Sequence, residues 1–277
     1  MSPEETAAGA PVLDAHQHLT PLGSPVAMGP APLVSGGAEQ REVDARRAAM
    51  TATGIARTLI LPFHAYLRPR GQADTAVVND SIAGYRDRHR DLVLAGVGVV
   101  EPQHGAAAHA ELERLAGPLG LVGISFHTRF QGCPTNDPAV VALVRRATAL
   151  KLVCFLHAGY SSEESVWRAL AVARAVPEAR IVLLDGLTGP DQCAEACLAA
   201  GLSENLWFDT AGCPDFEFVH RILDQAGPDR VVFGTNLSSS DTPRRISPIV
   251  PDGLDRLDRA TVEAITQHNL TRLLAHQ

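Results

Sequence analysis

Histidines collect along this chain where short apolar runs end. His16 and His18 close the segment Val12-Leu13-Asp14-Ala15-His16-Gln17-His18, and His64 follows Thr58-Leu59-Ile60-Leu61. His127 follows Leu121-Val122-Gly123-Ile124-Ser125-Phe126, and His157 follows Leu152-Val153-Cys154-Phe155-Leu156. Three more runs lead into Asp185, Asp209 and Asn236. A lone imidazole at a strand end is usually a satisfied structural side chain. Five of the eleven histidines at such positions point instead to one shared rim. Side chains at i and i+2 of a strand lie on the same face, so His16 and His18 can ligate one ion. Catalytic zinc sites typically use three protein ligands and a water, and His157 is the natural third.

The elements that must position these groups are eight apolar runs: 12–15, 58–61, 92–97, 121–126, 152–156, 181–184, 206–208 and 231–233. Nearly continuous apolar character over four to six residues marks strands buried on both faces. Stretches of helical period lie between them, as at 138–150, 164–176 and 216–227. Eight such strands alternating with helices predict an α/β fold, a single (β/α)8 TIM-like barrel spanning residues 1–277 as one domain. The Pro- and Gly-rich stretch 20–37 is expected to lie as a loop over the barrel mouth, with 68–71, 128–136 and 237–251 as further loops after strands. Barrel active sites are built from those loops.

Composition narrows the chemistry. The net charge of −7 argues against nucleic acid and anionic membrane as partners, which call for clustered positive charge. No apolar run approaches the roughly 20 residues of a membrane span, and the acidic start Met1-Ser2-Pro3-Glu4-Glu5 leads into no signal-peptide core. Five cysteines without a CxxC pair suit a reduced, cytoplasmic setting, and Cys193 and Cys197, four apart in a helix, are expected to pack. Lys151 is the single lysine among 24 basic residues. It precedes the fifth strand, roughly 20 Å from the rim at about 3.3 Å per residue. A Schiff base or a lysine-bridged metal pair at the rim is therefore excluded.

The segments ending at His18, His127 and His157-Ala158-Gly159, with Gly227-Pro228-Asp229-Arg230-Val231-Val232-Phe233-Gly234-Thr235-Asn236 and the ending His268-Asn269-Leu270-Thr271-Arg272-Leu273-Leu274, resemble the amidohydrolase superfamily. The resemblance is specifically to the amidohydrolase-related group that contains aminocarboxymuconate semialdehyde decarboxylase, and it runs from about Val12 to Leu274. It implies one divalent metal, zinc by expectation, held by His16, His18 and His157. It also implies a strand-six histidine that polarises the substrate or holds the nucleophilic water, and a strand-eight aspartate that ligates the metal and takes the water's proton. Here those two positions hold Asp185 and Asn236.

Asn236 can offer a carbonyl oxygen but no base, whereas Asp185 can be ligand or base, so one reading moves the carboxylate from strand eight to strand six. The rival reading is a metal site that has been lost. The expected catalytic residues are Asp185, His127 and Asn236. Arg129, His64 and Arg70 are expected on the substrate side, with Arg68 as an alternative to Arg70. Asp209 can orient a ligand histidine. The activity implied is hydrolysis of an amide or lactone of a small molecule by metal-bound water. A metal-assisted decarboxylase or other carbon–carbon lyase, or a metal-free hydrolase, is the alternative. A binding protein on a decayed barrel is the third option, and a homodimer is the assembly to test.

Overall fold

The computed structural model describes residues 11–19, 37–159, 161–238 and 253–275, so the mouth loop expected at 20–37 falls almost entirely outside the described residues, as does the stretch 239–251. The strands are β1 (Val12–Leu19), β2 (Ile55–Pro62), β3 (Val93–Val99), β4 (Gly123–Phe126), β5 (Val153–His157), β6 (Ile181–Leu184), β7 (Leu206–Asp209), β8 (Val231–Val232) and β9 (Leu237–Ser238). All neighbours pair in parallel, in the order β8-β7-β6-β5-β4-β3-β2-β1-β9. β8 and β9 are two halves of one broken stave: β8 pairs with β7, and β9 pairs with β1. At the break, the Phe233 carbonyl accepts from Ala15 N at 2.8 Å and the His16 carbonyl accepts from Asn236 N at 2.8 Å. The fold is a (β/α)8 TIM barrel, with its eight runs where the sequence places them.

The helices follow from pattern and caps. The helix Pro138–Ala149 starts with Asp137, whose carboxylate accepts from Ala139 N, and with proline at its first position, where a missing N–H costs nothing. It buries Val140, Leu143, Val144 and Ala147, an i, i+3, i+4, i+7 stripe. Such stripes build an outer apolar layer with Cys154, Leu156, Ile181 and Leu183. Alternate strand residues, Leu59, Leu61, Val153, Phe155, Val182 and Leu184, fill the inside with Leu270 and Leu273 of the last helix (Asn269–Leu274). Fully burying each such side chain contributes about 1.5–3 kcal/mol. No described helix is long and apolar enough to cross a membrane.

One local departure decides the site. Leu13 and Ala15 belong to the inner layer, so strict alternation would carry Gln17 inward and His16 and His18 outward. Between Asp14↔Thr58 and Gln17↔Ile60, however, β1 advances three residues while β2 advances two. This bulge shifts the parity by one and turns both histidines toward the lumen.

Candidate metal centre

β1 and β5 bring His16, His18 and His157 together, with one ring nitrogen of each within 4.8 Å of the others. Their second ring nitrogens are all occupied. His18 Nδ1 donates to the Pro62 carbonyl at 3.0 Å, and His157 Nδ1 donates to the Phe126 carbonyl at 3.0 Å. A carbonyl only accepts, so both rings carry their proton on Nδ1 and present a bare Nε2. Burial, with the neighbouring histidines, holds both well below the usual imidazole range and therefore neutral.

His16 Nδ1 lies 2.7 Å from Asp209 Oδ2, which fixes the same tautomer. Burial pulls the His16 pKa down, but the carboxylates of Asp209, Asp185 and Asp14 outweigh it and leave it raised. With His16 neutral, its Nε2 and that of His18 would set two lone pairs 3.0 Å apart. That arrangement is repulsive without a cation between them. Nitrogens about 2.0–2.1 Å from a tetrahedral ion sit about 3.3 Å from one another, close to the 3.0 Å between the His16 and His18 nitrogens, with the His157 nitrogen within 4.8 Å of both. The donor set fits a divalent metal.

Asp209, at the end of β7, is shared by two elements: Oδ2 holds His16, and Oδ1 accepts from Asp185 N at 3.0 Å. Gly234 leaves the room for it, since a Cβ there would come 2.8 Å from Asp209 Oδ2 and 3.1 Å from His16 Cβ. Asp185 follows β6 with φ at +59°, and Asn236 follows the break after β8 with φ at +53°. Asn236 Nδ2 donates to Asp185 Oδ1 at 2.9 Å. Asp185 Oδ2 is buried without a hydrogen-bond partner among the described residues, 4.0 Å from the equally unpartnered His157 Nε2. Burial, opposed by His16 and reinforced by Asp209, pushes the Asp185 carboxyl up to about 7. A carboxylate so desolvated is costly to ionise unless a cation faces it.

His127, just past β4, stacks on His157 with ring centroids 4.1 Å apart and planes 6° from parallel. Its Nδ1 meets Glu164 Oε1, which also accepts from Arg129 N at 3.0 Å. Burial lowers the His127 pKa against the pull of Glu164. His64 is fully buried, its Nε2 2.7 Å from Ser125 Oγ and its Nδ1 without a partner among the described residues. Burial and the neighbouring His127 keep it well below its usual range.

The arginines sit differently. Arg70 is exposed and paired with Asp74 at 2.6 Å, and Arg68 pairs with buried Glu101 at 2.8 Å. Arg129 is exposed, with its guanidinium 5.1 Å from the Phe130 ring centre. Lys151 is exposed at the far end of β5. Cys193 is buried in the outer layer.

Sequence reasoning missed Glu164 and the support beneath β1. Asp14 accepts from His16 N, Gln17 Nε2, Thr235 N and Thr235 Oγ1 at 2.6–3.2 Å. Arg46, on the helix Gly37–Ala52 and 1% exposed, donates to Gln17 Oε1 at 2.5 Å, the His18 carbonyl at 2.9 Å and Glu42 at 2.6 Å. Tyr85 donates to the other oxygen of Glu42. The only signal was the Glu42/Arg46 spacing of four, indistinguishable in sequence from a solvated pair.

Residues 13–275 match the model of the amidohydrolase family. The chain belongs to that family. No match is found among curated proteins. Among solved structures, the chain is similar to 5-carboxyvanillate decarboxylase LigW from Sphingomonas paucimobilis, with TM-score 0.71, 15% identity, and 96% of this chain and 99% of that one covered. It is also similar to 2,6-dihydroxybenzoate decarboxylase from Rhizobium, with TM-score 0.67, 16% identity and coverage of 96% and 98%. A third similar structure is dihydroxybenzoic acid decarboxylase from Polaromonas sp. JS666, with bound manganese and the inhibitor 2-nitroresorcinol, at TM-score 0.67, 14% identity and coverage of 96% and 97%. At these identities the likeness establishes the barrel fold rather than a substrate.

Proposed function

We propose that this member of the amidohydrolase family is a mononuclear, divalent-metal-dependent decarboxylase of a small aromatic carboxylic acid. The observation that carries the metal is the convergence of one ring nitrogen from each of three buried histidines, each ring fixed by a partner at Nδ1. Support for decarboxylation comes from the similar structures, which include decarboxylases of aromatic carboxylates, one of them with manganese. Nitrogen and carboxylate donors suit zinc and manganese alike, so the expectation of zinc widens to a divalent ion.

His16, His18 and His157 would hold the ion, which when bound polarises a substrate oxygen. His127 then carries the proton. Glu164 at its Nδ1 fixes the ring and stabilises the imidazolium, as a carboxylate does for any acid–base histidine. The proton passes from His127 to the ring carbon that bears the carboxylate. The carbon–carbon bond breaks, its electron pair returns to the ring, and CO2 leaves. His127 recovers its proton from water. Burial of the site excludes competing solvent.

Hydrolysis of an uncharged amide or lactone is the second reading, favoured by the commitment of Arg68 and Arg70 to Glu101 and Asp74. Neither is left to receive a substrate carboxylate. Protein loaded with manganese or zinc is to be incubated with hydroxylated benzoates in D2O, with CO2 release and deuterium at the vacated carbon measured. A parallel panel of lactones and amides completes the test. CO2 release with deuterium incorporation is expected; turnover of the second panel alone would overturn decarboxylation.

A further inference from the structure

We infer that Asp185 is the fourth protein ligand of the metal, through Oδ2, and that Asn236 is the positioning residue that aims it. The site's carboxylate has thus moved from the eighth stave to the end of the sixth. This rests on the reading that the three histidines hold an ion.

Four observations converge. Asp185 Oδ2 and His157 Nε2, a carboxylate oxygen and a ring lone pair, face each other at 4.0 Å, both buried and both without a hydrogen-bond partner among the described residues. Two acceptors so placed are stabilised together by a cation bridging them, and closing by about 0.7 Å would bring them to the spacing of a ligand pair on one tetrahedral ion. Every other polar atom of Asp185 that could turn the carboxylate away is tied. Oδ1 takes the Asn236 amide at 2.9 Å, and the backbone N–H goes to Asp209 at 3.0 Å.

The backbone is also held in an unusual state to achieve this. Asp185 and Asn236 are two of the three non-glycine residues with positive φ among the described residues, a conformation that persists only where its surroundings enforce it. Gly159, two residues beyond His157, makes room for it, since a Cβ there would meet the Asp185 carbonyl at 2.5 Å. Finally, three neutral imidazoles leave a 2+ charge uncompensated in a buried site. Asp209 is not the counter-charge ligand, because its two oxygens are spent on His16 and on Asp185 N. Glu164 Oε1 stands behind His127 and Arg129 N. Asn236 turns its amide on Asp185, so at this position it acts as donor.

The test uses the full chain, stripped of metal and titrated with Zn2+ against a chelating indicator, with visible absorption of the Co2+ form as a second readout of coordination. Asp185→Asn should weaken zinc binding by about a hundredfold or more and shift the Co2+ bands. Asn236→Ala should weaken it by about 10–100-fold, the range for groups that orient a ligand. Thermal unfolding of each metal-free variant near the wild-type temperature establishes that the barrel is intact. If wild type binds and both variants match it in affinity and Co2+ spectrum, the fourth-ligand assignment is overturned while the metal reading stands. If wild type itself takes up no ion, the metal reading falls first. Should Asp185→Asn fail to fold, Asn236→Ala decides alone.

Discussion

The two ends of the barrel treat buried polar atoms in opposite ways. At the N-terminal ends of the strands, charged and amide side chains are spent on stray carbonyls. Arg230 donates to those of Ala200, Ser203 and Ala226 at 2.6–3.0 Å, and Asn269 to those of Pro228 and Val231 at 2.6 and 2.7 Å. Arg180 does the same for Lys151 and Leu273. Arg57 Nε and Trp207 Nε1 at that end also lack a partner among the described residues, but they belong to side chains that are only partly buried. At the C-terminal ends, His64 Nδ1, His157 Nε2, Glu164 Oε2 and Asp185 Oδ2 lack a partner among the described residues and belong to buried side chains. Native interiors rarely leave such groups unmet. The contrast follows the division expected of this fold, in which the N-terminal ends of the strands serve stability and the C-terminal ends carry sites.

If that contrast is correct, substitutions at the two ends should separate metal binding from stability. The largest effect is expected for His16→Ala, which should abolish stoichiometric metal and lower turnover by about a thousandfold or more, beyond the 10–100-fold of an orienting group. Unfolding near the wild-type temperature should accompany the loss. Arg46→Met lies beneath the site and should cost about 3–5 kcal/mol by leaving Glu42 a buried, unpaired charge, measured by urea unfolding. Gly234→Ala forces Asp209 and His16 apart and should weaken zinc by about tenfold or more, read by indicator titration.

Acidification should weaken binding too. The His16 pKa is raised and that of Asp185 stands at about 7, so protons occupy ligands as pH falls below 7, and binding must displace them. Apparent affinity should fall toward pH 5 by up to about tenfold per unit for each proton displaced; an affinity independent of pH there would break the assignment. Smallest of all, Arg230→Ala should cost about 1–2 kcal/mol and leave zinc affinity unchanged. A change in affinity would erase the contrast between the ends.

The barrel was legible because its strands are buried on both faces and read as short apolar runs. The convergence of His16, His18 and His157 was legible because they end those runs, and Asp209 could be named as a partner of a rim histidine from its place after β7. Three features were not. The β1 bulge is a register event, and the i, i+2 argument yields the right face for His16 and His18 only because that bulge reverses the strand's alternation. Arg46 and Glu42 look like an exposed helical pair, and their burial depends on which face the helix turns inward. Glu164 lies 37 residues from the His127 it holds, a pairing that only the folded loops create.

Elemental analysis of protein purified without chelator tests the central claim most directly. Close to one divalent ion per chain, lost in His16→Ala, is the predicted result. Fully active protein that carries no metal would contradict it.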